Sequence, residues 1–371
     1  MATHSTRPDA AAWELKAIGG DCSMDNQNFK AILDDKARIN LGFYPTPFHR
    51  LDNLSDLLNI SLYIKREDFS GQSLFGGNKI RKLEYILGDA KAQGAEYVLT
   101  YGATQSNHAM QTAAACRKIG LKPILYLLAI VESDEAHPRS NLLLDRILDA
   151  EIHIVKKSPG ESNEEAGARM AQLGKAHIDR LRAEGWVCYE VPKGGSSAIG
   201  TAGFIRGYVE LQEQLDHAGI EADFLYHATG TGSTMAGLAA GKKVLKANTK
   251  IVSVEVMRHP TEYAASCAKL GNDALAWLGM PALLEPEDFN LDPDYYAPGY
   301  EIPNEAGTRG IKTLAVNEGL LVDPVYSGKA FGGMLDHVRT GKIPPGSNVV
   351  FLHTGGATAL FAEKEILGNL F

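Results

Sequence analysis

The sequence predicts an α/β protein of two open, twisted, mostly parallel sheets with a cleft between them. Three observations carry this expectation. Short apolar runs of strand length alternate with helical-period segments from residue 61 to the end, the pattern of parallel strands covered by helices on both faces. Several of these runs end in glycine- and hydroxyl-rich turns that open a helix. The chain's 371 residues suffice for two domains of ordinary size.

Composition narrows the classes further. A hydrophobic content of 44% with 22% charged residues is that of a globular protein, and a net charge of −8 argues against a general nucleic-acid binder. The longest apolar run, Pro123 to Val131, is far short of the ~20 residues that span a bilayer. Residues 1–8 carry no apolar segment of a secretory signal. Cys22, Cys116, Cys188 and Cys267 are far apart with no CxxC, so neither a zinc signature nor a disulfide framework is present. A reduced cytoplasm and no metal are the expectation.

In order, residues 1 to about 40 read as peripheral, with no sustained period. Phe43 to Phe48 is an extended, proline-fixed entry, and Ser61 to Arg66 is a strand. Gly76-Gly77-Asn78-Lys79 then opens a helix on which Leu83, Ile86, Leu87 and Ala90 recur at helical spacing. Lys79 lies one turn ahead of Leu83, on the face to be buried. It is either part of a solvated basic start with Arg81 and Lys82, or a partly desolvated amine able to attack an aldehyde. Strands follow at 97–101, 123–128, 151–155, 186–191, 224–228, 251–256 and 348–353. Helices are expected at 107–119, 140–148, 163–184, 203–218, 235–246 and 305–318, with a short one at the end.

Ligands of open α/β sheets sit beyond the carboxyl ends of the strands, and three strand-to-helix loops there are unusual. Gly102 to His108 ends on a helix start that Ser106 or Asn107 can cap, leaving N–H groups for a carboxylate. It is equally an ordinary polar cap. Thr229 to Thr234 has the make-up of a phosphate cradle or of a close-packing turn. Met235 stands where a dinucleotide fingerprint needs glycine, and no GxxxxGK[ST] occurs. Thr354, after the last strand, offers a hydroxyl beside a plain Gly-Gly turn. Tyr300 and Tyr326 lie in loops where their hydroxyls either serve chemistry or stay wet.

Together these stretches resemble the fold-type II pyridoxal 5'-phosphate (PLP) enzymes, in the branch of D-cysteine desulfhydrases and 1-aminocyclopropane-1-carboxylate (ACC) deaminases. The resemblance rests on KRED at Lys65, GGNKIRKLEY at Gly76, GATQSNH at Gly102, GTGSTMAG at Gly230, APGYEIPNEAG at Ala297, DPVYSGK at Asp323 and HTGGATALF at His353. It runs from Thr46 to Phe361 and leaves the N-terminal tail outside. It implies a large domain of 41–81 plus 197–371, a small one of 82–196, and a homodimer acting on a small amino acid, with no membrane or nucleic-acid partner.

The resemblance implies that Lys79 holds PLP as a Schiff base and acts as base. Thr231, Gly232, Ser233 and Thr234 correspond to the phosphate loop with Lys82 as a further contact, Asn78 to another cofactor contact, and Asn107 to the contact with the phenolic oxygen. Gln105, Ser106, Asn107 and His108 match substrate-binding positions, with Ser106, Tyr300 and Tyr326 also catalytic. ACC deaminases have glutamate and leucine where this chain has Ser327 and Thr354. A hydroxyl at the pyridine nitrogen makes a weaker electron sink than a carboxylate, which favours β-elimination over ring opening. The implied activity is D-cysteine to pyruvate, hydrogen sulfide and ammonia, with L-cysteate sulfo-lyase, ACC deaminase or a non-catalytic PLP-binding regulator as alternatives. The related desulfhydrases carry arginine where this chain has Met110, and a sulfonate leaving group would need cationic contacts that the sequence does not reveal.

Overall fold

A computed structural model describes residues 26–71 and 76–370; Cys22 and most of the N-terminal tail lie outside them. In chain order the first elements are α1 (Asn26–Asp34), β1 (Phe48–Arg50), α2 (Asp52–Leu58), β2 (Ser61–Arg66), α3 (Lys79–Ala92), β3 (Tyr97–Ala103) and α4 (Asn107–Lys118). Then come β4 (Lys122–Ala129), α5 (Ser140–Ile147), β5 (Glu151–Lys156), α6 (Asn163–Ala183), β6 (Cys188–Val191), α7 (Ala198–Ala218), β7 (Phe224–Thr229) and α8 (Ser233–Leu245). The chain closes with β8 (Lys250–Glu255), α9 (Tyr263–Trp277), β9 (Asn290–Asp292), α10 (Glu305–Glu318), α11 (Ser327–Arg339), β10 (Asn348–His353) and α12 (Lys364–Leu367).

Two sheets result. The larger runs β1-β2-β10-β7-β8-β9 and the smaller β5-β4-β3-β6. Every neighbouring pair is parallel except β1 with β2, where Phe48 faces Lys65 across an edge. The inner strands are largely apolar, as Val349 to Leu352 on β10 and Ile124 to Leu128 on β4 illustrate, because helices cover both faces.

The N-terminal segment corrects one expectation. Residues 26–40, read as peripheral, dock onto the body. Phe29 and Leu33 are fully buried against Ile205 and Val209 of α7, Tyr85 Oη donates to Leu33 O at 3.1 Å, and Arg38 pairs with Glu84 at 2.7 Å. Two turns of helix are too short for a period to emerge from the sequence. The second difference is α7, which begins five residues before the expected 203, capped by Ser197 on Gly200 N at 3.1 Å. Its early glycines read as non-helical, but α3 passes so close that a Cβ on Gly203 would lie 2.3 Å from Arg81 O.

Candidate active site

The carboxyl ends of β2, β3, β6, β7 and β10 open onto one cleft, lined by Lys79, Lys82, Ser106, Asn107, His108, Lys193, Thr231, Thr234, Tyr300, Tyr326 and Thr354 among others. It encloses roughly 760 Å³ of empty space continuous with solvent.

Lys79 sits at the first position of α3, as its spacing predicts. The turn before it is held on all sides. A Cβ on Gly76 would fall 1.5 Å from Ser70 O, so only glycine fits. Gly77 bridges to Gly355, Asn78 N donates to Thr354 O at 3.1 Å, and Asn78 Nδ2 donates to Thr234 Oγ1 at 3.0 Å. Three loops distant in sequence are thus locked around one amine. Burial pulls the Lys79 pKa down to about 8, because a cation out of water is disfavoured. Lys82, 1% exposed, is also pushed well below its usual range by burial and then by the Lys79 charge. Among the described residues its Nζ makes one hydrogen bond, to Gly194 O at 3.4 Å. Half-buried Lys79 and buried Lys82 have no carboxylate beside them among the described residues, and together they make a site for an anion.

The loop Gly230–Thr234 supplies the rest of that site. Tyr263 Oη and His259 Nε2 take Gly230 O at 2.6 and 2.8 Å, and Ser196 Oγ takes Thr231 O at 2.6 Å. The carbonyls are therefore occupied, and no described residue accepts the N–H groups of Thr231 to Thr234. Gly232, at φ +86°, caps α8 without a side chain, which leaves the positive helix end bare. Ser233 is buried behind, with its Oγ taken by Thr201 at 3.2 Å.

Across the cleft Ser106 caps α4, its Oγ accepting from Ala109 N at 3.2 Å. Asn107 is oriented by a chain of constraints. Asn141 Nδ2 donates to the carbonyl of Gln105 at 2.8 Å and to Asn107 Oδ1 at 2.8 Å, and Thr358 Oγ1 donates to the same Oδ1 at 3.2 Å. With its oxygen spoken for, Asn107 has its Nδ2–H groups to offer an acceptor. His108 is buried and held neutral by burial. Its Nε2 bonds Thr100 Oγ1 at 2.8 Å, whose own proton goes to Val191 O at 2.9 Å. Tyr300 and Tyr326 share a short hydroxyl–hydroxyl bond, and burial raises both of their pKa values.

Two expected contacts are not at the cleft. Gln105 Nε2 donates to both oxygens of Glu363, at 3.2 and 3.1 Å, and its Oε1 accepts from Asn141 N at 3.0 Å. Its amide is used to hold the loop and is absent from the cleft wall. Ser327 Oγ bonds Asp323, which also accepts the N–H groups of Val325, Tyr326 and Ser327 at 2.9, 2.8 and 2.7 Å. Of the two hydroxyls Ser327 and Thr354, the one in the cleft wall is Thr354. Asp323, unremarked in the sequence except as the start of a motif, is the buried acceptor that fixes the tyrosine loop. Lys193, also missed, belongs to a fourth strand-to-helix loop with a Gly-Gly pair. That loop carries the same signal as the others.

The donor set fits a phosphorylated pyridoxal: paired amines and a bare helix end for a phosphate, an amine at pKa about 8 for an aldehyde, an amide N–H for an oxyanion, and a hydroxyl for a ring nitrogen. The chain matches the family model described as pyridoxal-phosphate dependent enzyme over residues 39–355. It belongs to that family, with the fold-type II architecture.

Within it, the chain is 37% identical over 337 residues to a D-cysteine desulfhydrase of Serratia proteamaculans (strain 568), covering 90% of this chain and 98% of that one. A D-cysteine desulfhydrase of Salmonella newport (strain SL254) is also 37% identical, over 328 residues, covering 88% and 95%. A crystal structure described as an ACC deaminase homologue superposes with a TM-score of 0.78 at 34% identity, covering 89% and 95%. A threonine deaminase structure, at 19% identity with a TM-score of 0.58 over 84% of this chain and 92% of that one, shares the fold alone.

Proposed function

We propose that this chain catalyses β-elimination on a small amino acid, with D-cysteine giving pyruvate, hydrogen sulfide and ammonia. The observation that carries the reading is the pairing of a desolvated Lys79 with a cleft wall that offers Thr354 and, among the described residues, no carboxylate to a ring nitrogen. The desulfhydrase relatives support the substrate. In this reading Lys79 anchors PLP, Lys82 and the α8 N-terminus take its phosphate, Asn107 its phenolic oxygen and Thr354 its ring nitrogen. PLP, when bound, supplies the electron sink for a carbanion.

The protein's own groups do the rest. The substrate carboxylate docks at Ser106 and the N-terminus of α4. Lys79 Nζ, freed from its anchoring role, takes the Cα proton. In this reading the Tyr300–Tyr326 pair faces the departing sulfur; burial holds both phenols protonated, one proton lies in the bond between them, and the proton of the accepting phenol is free for the leaving thiolate. We take the enzyme to be a homodimer, as the resemblance implies, working in the reduced cytoplasm that its scattered cysteines suggest. Among the described residues no helix is long and apolar enough to cross a membrane.

The test is a panel of D- and L-amino acids scored for pyruvate and sulfide. Sulfide release from D-cysteine should exceed that from L-cysteine; equal or reversed rates reject the assignment. A pH dependence accompanies it. The neutral amine is the nucleophile, and with a pKa of about 8 about a tenth of it is neutral at pH 7, against well under a thousandth for an ordinary lysine. Cofactor uptake by apo-protein should therefore rise about ten-fold per pH unit up to about pH 8 and level off above it. Stopped-flow absorbance checks this, and a rise continuing to pH 10 contradicts it.

A further inference from the structure

A second cluster of chemistry-bearing side chains lies outside the cleft, at the edge of the smaller sheet. Glu151 and His153 stand two residues apart on the edge strand β5 and so point to the same face. His153 pairs across the sheet with Tyr126 of β4, and the two rings stack at 4.5 Å and 13°. Helix α6 packs on that face and brings down His177, whose ring lies 5.2 Å from that of His153 at 84°. None of these side chains is in the cleft wall.

One carboxylate oxygen is the focus. Glu151 Oε1 lies 2.7 Å from His153 Nε2 and 3.6 Å from His177 Nε2, and the three potential ligand atoms all fall within 4.8 Å of one another. An ordinary ion pair accounts for the first contact. It leaves the second unexplained, because 3.6 Å is beyond hydrogen-bond reach. On the other side of the ring, His177 Nδ1 is 3.2 Å from Tyr126 Oη. With the proton on Nδ1 and donated to that oxygen, Nε2 turns its lone pair toward Glu151 and His153. An outer hydrogen bond aims a metal-ligating histidine in this way. The Glu151 and His153 side chains are 46% and 38% exposed and that of His177 4%, so the set is anchored at one end and open to solvent at the other. The other charged groups that reach His177 are Arg180 and Glu184, which pair with each other at 4.0 Å and cancel.

We propose that Glu151, His153 and His177 bind a divalent cation of the zinc class, with water in the fourth position and Tyr126 positioning His177. Two imidazoles and a carboxylate are a ligand set suited to such an ion. Tetrahedral bonds of about 2.0–2.1 Å hold ligand atoms about 3.3 Å apart, close to the Glu151–His177 spacing. The shorter Glu151–His153 contact opens as the ion takes the place of the proton between them, a small turn of two partly exposed side chains. The bound ion ties β5, which has a single sheet neighbour, to α6. Cysteine spacing, on which the expectation of no metal rested, carries no information about such a site. The proposal is independent of the elimination reading, since its readout is binding.

The experiment titrates chelator-stripped holoenzyme with Zn2+ against a chromophoric competitor, beside Glu151→Gln, His153→Ala, His177→Ala and Tyr126→Phe. The wild type should take up about one Zn2+ per chain at this site. His153→Ala and His177→Ala should weaken that uptake about a hundred-fold or more, and Glu151→Gln about ten-fold or more. Tyr126→Phe keeps the ring stack and loses the hydroxyl, and should cost about ten-fold. Zn2+ should also raise the melting temperature of the wild type and leave that of His153→Ala unchanged. His153 is partly exposed, so its variant carries the test even if His177→Ala does not fold. Wild-type uptake no tighter than that of His153→Ala overturns the proposal, as does a melting shift of equal size in both. Zn2+ bound by Tyr126→Phe as tightly as by the wild type overturns the positioning role of Tyr126.

Discussion

Lys79→Ala should lower kcat/KM for D-cysteine by at least about a thousand-fold, because in the proposed reading one amine both anchors the cofactor and moves the Cα proton. A positioned acid–base group alone contributes ~10²–10⁴-fold, and loss of the anchor adds to that. The rest of the cleft does not depend on this side chain. The Asn78–Thr234 and Asn78–Thr354 bonds and the carbonyl pins on Gly230 and Thr231 involve other atoms. The variant should therefore fold and still bind PLP non-covalently. Two measurements separate the outcomes. Borohydride reduction followed by peptide mass analysis should fix cofactor on the Lys79 peptide of the wild type and nowhere in the variant. Steady-state pyruvate formation should fall with it. Covalent cofactor surviving in Lys79→Ala would move the anchor to Lys82, the buried amine of the same cleft wall, and would sink the assignment.

The reason Lys79 was readable at all is local. A glycine pair, an asparagine and a helix start lie within four residues, and helical spacing put the lysine on the inner face. The same holds for Thr231 to Thr234 and for Ser106, where backbone geometry does the binding. What the sequence hid is what tertiary contacts decide. Gln105 and Ser327 look as available as their neighbours, yet Glu363 takes one and Asp323 the other, and neither contact has a sequence-local signature. Thr354 faces the cleft while Ser327 does not, so of the two hydroxyls one is left for a ring nitrogen. Helix α9 was missed for a related reason: its run of small residues, Ala264 to Ala276 among them, gives little contrast between faces. The glycines that delayed the expected start of α7 are there because α3 needs the room.

The KRED and GGNKIRK motifs, read as marks of resemblance, turn out to be two halves of one ion network, and its removal is the largest stability change expected. Arg81 Nε and Nη2 grip Glu67 at 2.5 and 2.8 Å, and its Nη1 and Nη2 reach Glu210 on α7 at 3.0 and 2.7 Å. Lys65 Nζ pairs with Glu210 and donates to Gln214 Oε1 and Thr46 O at 2.6 and 2.9 Å. Thr46 Oγ1 donates to Glu67 Oε1 at 2.7 Å, and the Tyr44 ring lies 4.3 Å from the Arg81 guanidinium. Two cations face two carboxylates, so the network is neutral; Lys65, Glu67 and Arg81 are each 2% exposed or less. Arg81→Met leaves Glu67 and Glu210 with one cation between them, and breaking a buried pair from one side costs about 3–5 kcal/mol. Arg81→Met with Glu67→Gln should recover a substantial part of that loss, since it removes the uncompensated charge. Urea unfolding of the two variants checks both figures. Because Arg81 stands two residues after Lys79 on α3, the single variant should also bind PLP more weakly. Full cofactor affinity in Arg81→Met, despite lost stability, would mean that the turn at Gly76 and Gly77 holds Lys79 without help from the network.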